Sequence, residues 1–318
     1  MKAFSGASLA SAAVLALSMS VGCAQVGQVT AKRSFKAANA AYQAQDYKKA
    51  AALYEETLEE DPTLSIAYFF LGNSLDNQYR PSKKGEPENE ALLTRAVENY
   101  TLSAEKLAGS TVEDEKKLAK LSLEYLVAAY GADKLNDPAK AEPVLIKMIE
   151  MEPTEPTNYA VLAKIYEDAA MYDDAEKVLL MSKAAKPRDS SVYLQLAGFY
   201  NRQGRFDKTI ESLNQRAEIE PNNPEAFQTI AGYYWDETRG DSSLTEDQRK
   251  EYISKGLEAV DKAISLKSDY VEAITFRGLL LRLQANVEKN PAKQQELLKE
   301  ATVLGEKANE LRKKAAGN

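Results

Sequence analysis

A pattern of four residues returns in this chain after an interval of 34 residues. Residues 159–166 read YAVLAKIY and residues 193–200 read YLQLAGFY, so tyrosine, leucine, alanine and tyrosine recur in the same order. Their spacing of three and four residues places them on one face of a helix. A second helical pattern follows each of these stretches and ends at a proline, Pro187 or Pro221. Such a repeat predicts stacked helix pairs, because one pair cannot bury its apolar face alone.

The same pattern continues over residues 31–312 and resembles the tetratricopeptide repeat (TPR). That family places an aromatic residue, Leu, Gly or Ala, and Tyr in the first helix, then Ala, an aromatic residue, Ala and Pro in the second. The resemblance implies an all-α fold, a right-handed superhelical solenoid of about seven helix pairs. The predicted repeats are residues 31–64, 65–110, 122–155, 156–189, 190–223, 224–270 and 271–312, followed by a tail at 313–318.

Three polar inserts lengthen the predicted repeats, near residues 80–91, 239–250 and 285–295. Each insert carries a helix-start signal: Pro87, the pair Thr245 and Gln248, or Asn290 before Pro291. The inserts therefore predict short loops followed by extra N-terminal turns on the second helix. They are interpreted either as functional projections or as length variation that surface loops tolerate.

The N-terminal segment resembles an export signal. Residues 1–22 contain one charge, Lys2, followed by a run of small and apolar residues, which predicts a secretory signal peptide. A buried N-terminal helix is the alternative. The sequence SVGC, which ends at the only cysteine, Cys23, resembles the lipobox of bacterial lipoproteins. The resemblance implies lipidation of Cys23, with residues 23–30 as a tether to the membrane. Cleavage after Ala24 would instead remove the cysteine.

Composition excludes several classes of function. The chain has no histidine, one cysteine, 41 basic and 48 acidic residues, and a net charge of −7. Histidine is the commonest general base and metal ligand, so neither catalysis nor a metal site is expected. An acidic chain without a dense basic tract argues against a nucleic-acid partner. No phosphate-binding loop or hydrolase motif occurs, and we expect no cofactor and no enzymatic activity.

The TPR resemblance also implies which residues line a binding groove. At the family's groove positions the chain carries aromatic and amide side chains, which can contact and hydrogen-bond an extended peptide. Asn39 and Asn73 hold the same position in neighbouring repeats, and both are expected to be exposed. Alternatively, Phe35 and Phe69 cover the end of the solenoid. The candidate groove residues are Phe35, Asn39, Tyr42, Phe69, Asn73, Asn77, Tyr130 and Trp235.

These features together predict an exported scaffold protein. We expect it to bind a protein or peptide in its groove and to be held at a membrane by the lipid on Cys23. The resemblance to exported TPR lipoproteins implies a location in the cell envelope, in the outer membrane or periplasm, and a role in envelope assembly or secretion. The alternative is a structural repeat protein that associates with its own copies.

Overall fold

The structure, a computed structural model, describes the backbone of residues 10–316 and the side chains of residues 27–316. The described residues form fourteen α-helices and contain no strand. The helices are α1 (Ala10–Gln43), α2 (Tyr47–Glu60), α3 (Ile66–Asp76), α4 (Pro87–Leu107), α5 (Glu113–Ala129), α6 (Pro138–Met151), α7 (Pro156–Asp168), α8 (Tyr172–Ala185), α9 (Ser190–Arg202), α10 (Phe206–Ile219), α11 (Pro224–Gly240), α12 (Glu246–Leu266), α13 (Val271–Val287) and α14 (Pro291–Ala316).

Each odd-numbered helix packs against the even-numbered helix that follows it. We call the first helix of each pair the A helix and the second the B helix. The chain forms two compact units: the first ends at Glu152 and contains α1–α6, and the second begins at Pro153 and contains α7–α14. Within the units, successive A helices contact each other: α3 contacts α5, α7 contacts α9, and α11 contacts α13. No contact of comparable size joins any two of the described B helices. The A helices therefore share one face of each unit.

The residues that recur at the 34-residue interval are mostly core residues. Tyr159 and Leu162 of α7 are buried, and so are Tyr193 and Leu196 of α9. Alanine residues of the pattern are buried as well, as at Ala175, which is 0% exposed. The prediction of an all-α fold of stacked helix pairs is confirmed. The handedness of the superhelix and the boundaries of the repeats stay predictions.

The first tyrosine of the recurring pattern also closes the turn between one pair and the next. The hydroxyl of Tyr159 donates a hydrogen bond to the Pro153 carbonyl at 2.9 Å, and Tyr193 bonds the Pro187 carbonyl at 2.7 Å. Tyr68 approaches the Pro62 carbonyl in the same way, at 3.4 Å. The proline that ends a B helix and the tyrosine six residues later thus act together to close the turn between two pairs.

The three inserts lengthen the B helices, as the helix-start signals predict. Helix α4 begins at Pro87 and has 21 residues, α12 has 21 and α14 has 26, whereas α2, α6, α8 and α10 have 14 each. Thr245 and Gln248 form the expected reciprocal capping box at the start of α12. Length variation in the described helices is not confined to helix B, because α11 and α13 have 17 residues each, whereas α7 and α9 have 13 each.

The chain ends are more helical than the sequence indicates. Helix α1 passes through residues 27–30, predicted as tether, and a Cβ on Gly27 would lie 3.0 Å from the Glu60 carbonyl oxygen. Helix α14 likewise includes residues 313–316 of the predicted tail. Residues 1–9 and the Cys23 side chain lie outside what the structure describes, so signal cleavage and lipidation stay predictions. Among the described helices, none is long and apolar enough to cross a membrane.

Four turns between A and B helices share one geometry that requires a left-handed residue. Gln45, Asn136, Ala170 and Gly204 have φ values of 60°, 52°, 58° and 66°. At three of these turns the amide of the next residue bonds a carbonyl five residues back, as from Met171 to Tyr166 at 2.8 Å. Glycine is favoured at such a position because it lacks the Cβ that clashes in this conformation.

Exchanging alanine and glycine at two of these turns tests the repeat geometry. Ala170→Gly should raise the free energy of unfolding by about 1 kcal/mol, because it relieves left-handed strain. Gly204→Ala, at the equivalent turn 34 residues later, should lower it by a similar amount, although its Cβ would meet no atom within 4 Å. Urea unfolding followed by circular dichroism measures both changes. If neither substitution changed the free energy of unfolding relative to the wild type, the shared turn geometry would be contradicted.

Candidate functional site

Aromatic rings from three helices meet on the A-helix face of the first unit. Phe35 and Tyr42 extend from α1, and Phe70 extends from α3. The ring centroid of Phe70 lies 6.5 Å from that of Phe35, 5.4 Å from that of Tyr42 and 5.8 Å from that of Tyr54 in α2. Tyr54 is fully buried, whereas the other three rings are half-buried. The buried tyrosine therefore supports a surface on which aromatic area remains accessible.

Asn73 is the centre of the polar network beside these rings. Its Oδ1 accepts hydrogen bonds from the Tyr42 hydroxyl at 2.7 Å and from Asn77 Nδ2 at 2.8 Å. Its Nδ2 donates to the Tyr100 hydroxyl at 3.3 Å. Asn73 is only 3% exposed. Both ends of its amide are thus engaged within the protein.

Asn39 and Asn77 each keep one end of the amide free. Asn39 is half-buried, and its Oδ1 accepts from the Tyr54 hydroxyl at 2.6 Å. Asn77 is exposed, and its Nδ2 donates to the carbonyl and to Oδ1 of Asn73. Within the described part of the chain, no acceptor bonds Nδ2 of Asn39 and no donor bonds Oδ1 of Asn77. One donor and one acceptor, the two groups that a peptide unit needs, therefore face solvent here.

A buried ion pair fixes the far side of the same network. Lys134, which follows α5, places Nζ 2.6 Å and 2.9 Å from the two carboxylate oxygens of Asp76, whose side chain is 6% exposed. The Tyr100 hydroxyl donates to the same carboxylate at 3.4 Å. Burial raises the pKa of the Tyr42 and Tyr100 hydroxyls. Both groups therefore remain protonated donors at neutral pH.

Two candidate groove residues, Phe69 and Asn73, are buried, and their expected exposure is wrong. Phe69 is 5% exposed, and its ring centroid lies 6.0 Å from that of Tyr100 and 5.8 Å from that of Tyr125. It therefore packs between α3, α4 and α5. The next residue, Phe70, takes the exposed position. Asn73 is covered because Tyr42 of the preceding pair reaches over it.

Tyr130 does not join the other candidates. It lines a cavity of about 360 Å³ with Lys140 and Pro143 of α6. Burial raises the pKa of its hydroxyl. Tyr130 therefore faces the B-helix side of the first unit. Phe35, Asn39, Tyr42, Phe70 and Asn77 are brought together, and we call these five residues the amide–aromatic face.

The A helices α7 and α9 of the second unit carry charges that pair with each other. Arg202 makes a bidentate ion pair with Glu167, at 2.8 Å and 2.9 Å. The guanidinium of Arg202 holds the pKa of the Glu167 carboxyl below its usual value. Trp235 is half-buried; its ring lies 5.9 Å from that of Phe276 and 4.8 Å from the Arg239 guanidinium. No cluster of three or more potential metal ligands occurs among the described residues.

The two kinds of asparagine should respond differently to mutation. Asn73→Ala should lower the free energy of unfolding by about 1–3 kcal/mol, because it leaves the hydroxyls of Tyr42 and Tyr100 without their amide partner. Asn77→Ala should change it by less than about 0.5 kcal/mol, because the side chain is exposed. Thermal and urea unfolding of both variants measure the difference. A stable Asn73→Ala protein would contradict the network.

Comparison with known proteins identifies the fold. No protein-family model and no curated protein matches the sequence. The structure resembles the C-terminal part of a TPR repeat-containing protein from Cytophaga hutchinsonii, with 12% identity, a TM-score of 0.55, and coverage of 87% of this chain and 98% of that chain. A TPR protein from Parabacteroides merdae matches with 15% identity, a TM-score of 0.43 and coverage of 86% and 98%.

A third structure found in the comparison is YrrB, described as a TPR protein with an unusual peptide-binding site. It shares 17% identity over 62% of this chain and 89% of its own, with a TM-score of 0.38. Of these three similarities, that to the Cytophaga hutchinsonii protein has a TM-score above 0.5, and at 12% identity it concerns the fold alone. The recurring residues, the paired helices and this similarity agree: the chain has the tetratricopeptide-repeat fold.

Proposed function

We propose that the protein is an exported scaffold that binds an extended segment of a partner protein on the amide–aromatic face. The observation that carries the proposal is the free Nδ2 of Asn39 and the free Oδ1 of Asn77, beside the half-buried rings of Phe35, Tyr42 and Phe70. A peptide backbone offers one donor and one acceptor per residue, so it can satisfy both amides. The rings supply apolar contact area around these polar contacts.

The surrounding structure favours this face for recognition because it is held in place before a partner arrives. Asn39 is fixed by the buried hydroxyl of Tyr54, and Asn77 is fixed by Asn73. Fixed side chains lose little conformational entropy on binding, which favours affinity. On the A helices α7 and α9 of the second unit, Glu167 and Arg202 neutralise each other, so a ligand there would have to compete with an existing ion pair.

We further propose that the protein is anchored to a membrane through Cys23 after removal of residues 1–22. The support is the single charge at Lys2, the apolar run that follows, and the cysteine at the end of SVGC. Each buried methylene of an acyl chain contributes about 0.8 kcal/mol, so more than one chain gives a stable anchor. An anchored scaffold that binds protein segments fits a role in envelope assembly or secretion.

A double variant tests recognition while it keeps the hydrogen bonds of Tyr54 to position 39 and of Tyr42 to Asn73. Asn39→Asp keeps the acceptor for Tyr54 but removes the free donor, and Asn77→Ala removes the free acceptor. Together they should weaken partner binding by about 1–3 kcal/mol, from two lost hydrogen bonds. Tagged protein retained on beads captures partners from envelope extracts, and the yield of each partner is measured by quantitative mass spectrometry.

The control for this double variant is Asn286→Asp with Asn222→Ala, which makes the same chemical changes at exposed sites of the second unit. The control should capture the same partners as the wild type. Undiminished capture by the Asn39 and Asn77 variant would show that the amide–aromatic face is not the binding site.

Substitution of the cysteine tests the anchor. In cells that express the full chain, the wild type should partition into the detergent phase of a Triton X-114 extract, because acyl chains enter the micelle. Cys23→Ser should move to the aqueous phase. If both proteins partition alike, the lipid anchor does not exist.

A further inference from the structure

A groove runs along the B-helix side of the second unit, between α10 and α12. Its volume is about 920 Å³. The floor is apolar and includes Ile210, Ile230 and Ala259, which are buried, and Phe227, which is half-buried. Helix α11 lies at the bottom because α10 and α12 both pack against it and not closely against each other. The groove thus has two helical walls and a helical floor, a shape that fits an added helix.

The rim of this groove carries an excess of negative charge. Asp207, Glu211 and Glu258 are exposed, and none of them forms an ion pair within the described residues. The cations of the groove are already engaged: Lys255 pairs with Glu251 at 2.6 Å, and Lys262 lies 5.9 Å from the Phe227 ring centre. The groove is therefore complementary to a helix that carries basic and apolar side chains on one face.

The chain itself contains such a helical face at the start of the first unit. Val29, Lys32, Arg33 and Lys36 of α1 follow one another at spacings of three, one and three residues, which places them on one stripe of the helix. All four are exposed, Val29 by 56%, and the three cations form no ion pair among the residues that the structure describes. The opposite face of α1, with Ser34, packs against α2. We call these four residues the basic stripe.

Charge is distributed along the sequence in a way that isolates this stripe. Residues 1–45 contain four basic residues, Lys2 and the three of the stripe, and no acidic residue. The remaining residues, 46–318, contain 37 basic residues (41 minus 4) and all 48 acidic residues, for a net charge of −11. The cations of the basic stripe therefore belong to a positive segment of an otherwise strongly acidic chain, and attraction to acidic surfaces follows.

We propose that the groove between α10 and α12 binds the basic stripe of a second copy of this chain. Lys32, Arg33 and Lys36 of one copy meet Asp207, Glu211 and Glu258 of the other, and Val29 contacts the apolar floor. The dimensions agree: Val29 to Lys36 and Asp207 to Asn214 each span seven residues of helix, which is about 10 Å. The contact joins two different surfaces of the chain. Two copies can therefore form a dimer in which each stripe occupies the other copy's groove, or successive copies can form longer assemblies.

Charge reversal on each side, followed by mixing, tests this contact. The first variant carries Lys32→Glu and Lys36→Glu, and the second carries Glu211→Lys and Glu258→Lys; both are made in the full chain with Cys23→Ser, which prevents disulfides. Light scattering after gel filtration gives the mass of each sample against the 35.1 kDa of one chain. The unreversed protein should associate in roughly 50 mM salt and dissociate in roughly 1 M salt, where charges are screened.

Each reversed variant alone should associate at least about tenfold more weakly, because like charges now face each other. An equimolar mixture should regain association, because each surface again finds a surface of opposite charge in the other variant. Lys48→Glu with Lys49→Glu, an equal charge change at exposed positions of α2, should behave like the unreversed protein.

Two results would overturn the proposal. One is a monomeric unreversed protein at every salt concentration; the other is association that survives both reversals, which would indicate contact through the apolar residues before the stripe. The same samples are floated with vesicles of phosphatidylglycerol and of phosphatidylcholine. If the stripe reversal abolishes flotation with the anionic vesicles and leaves self-association unchanged, the stripe binds a membrane surface and not the groove.

Discussion

The burial of apolar side chains between successive helix pairs is the interaction on which this structure depends. Tyr54, Tyr100 and Leu213 are fully buried, and each lies in a B helix that packs beneath A helices. Because a single pair exposes its apolar face, each pair gains its stability from its neighbours. The identities of the recurring residues are therefore fixed by packing, and only the residues between them are free to carry recognition.

The same packing also shapes the candidate site. Tyrosines of the B helices extend their hydroxyls toward the A-helix face, where they need partners because burial makes an unpaired hydroxyl costly. Tyr54 finds Oδ1 of Asn39, and Tyr100 lies beside Nδ2 of Asn73. The amides on the surface are thus oriented by the core beneath them. The effects of substituting a buried tyrosine and its asparagine partner on the free energy of unfolding should consequently not be additive.

Much of the fold followed from the sequence, because helical spacing, prolines and capping residues act locally. The proline at the start of α4 and the capping box at Thr245 are both local features. The register of the side chains on α3, in contrast, did not follow from the sequence. Successive residues of a helix point about 100° apart, so an error of one position exchanges Phe69 in the core with Phe70 on the surface.

The contrast between Asn39 and Asn73 has a different cause, which no single repeat contains. Both occupy the same repeat position, but Asn73 is covered by Tyr42 from the pair before it, whereas α1 is the first of the described A helices. The ion pair of Asp76 and Lys134 joins residues 58 positions apart, across two successive pairs. Such contacts depend on how neighbouring pairs stack, so sequence spacing within one repeat could not predict them.

Helix α1 illustrates how one helix can combine several tasks. One face packs against α2 through residues such as Ser34, a second presents Asn39 and Tyr42, and a third presents Lys32 and Lys36. At about 100° and 1.5 Å per residue, Asn39 lies about 20° from Lys32 and about 60° from Lys36 around the helix axis, and about 10 Å and 5 Å from them along it, so the second and third faces adjoin. A segment bound beside Asn39 and a helix bound over the cations would therefore lie next to each other on α1. The proposed recognition and the proposed self-association then share one helix, so binding at either surface should change the affinity of the other.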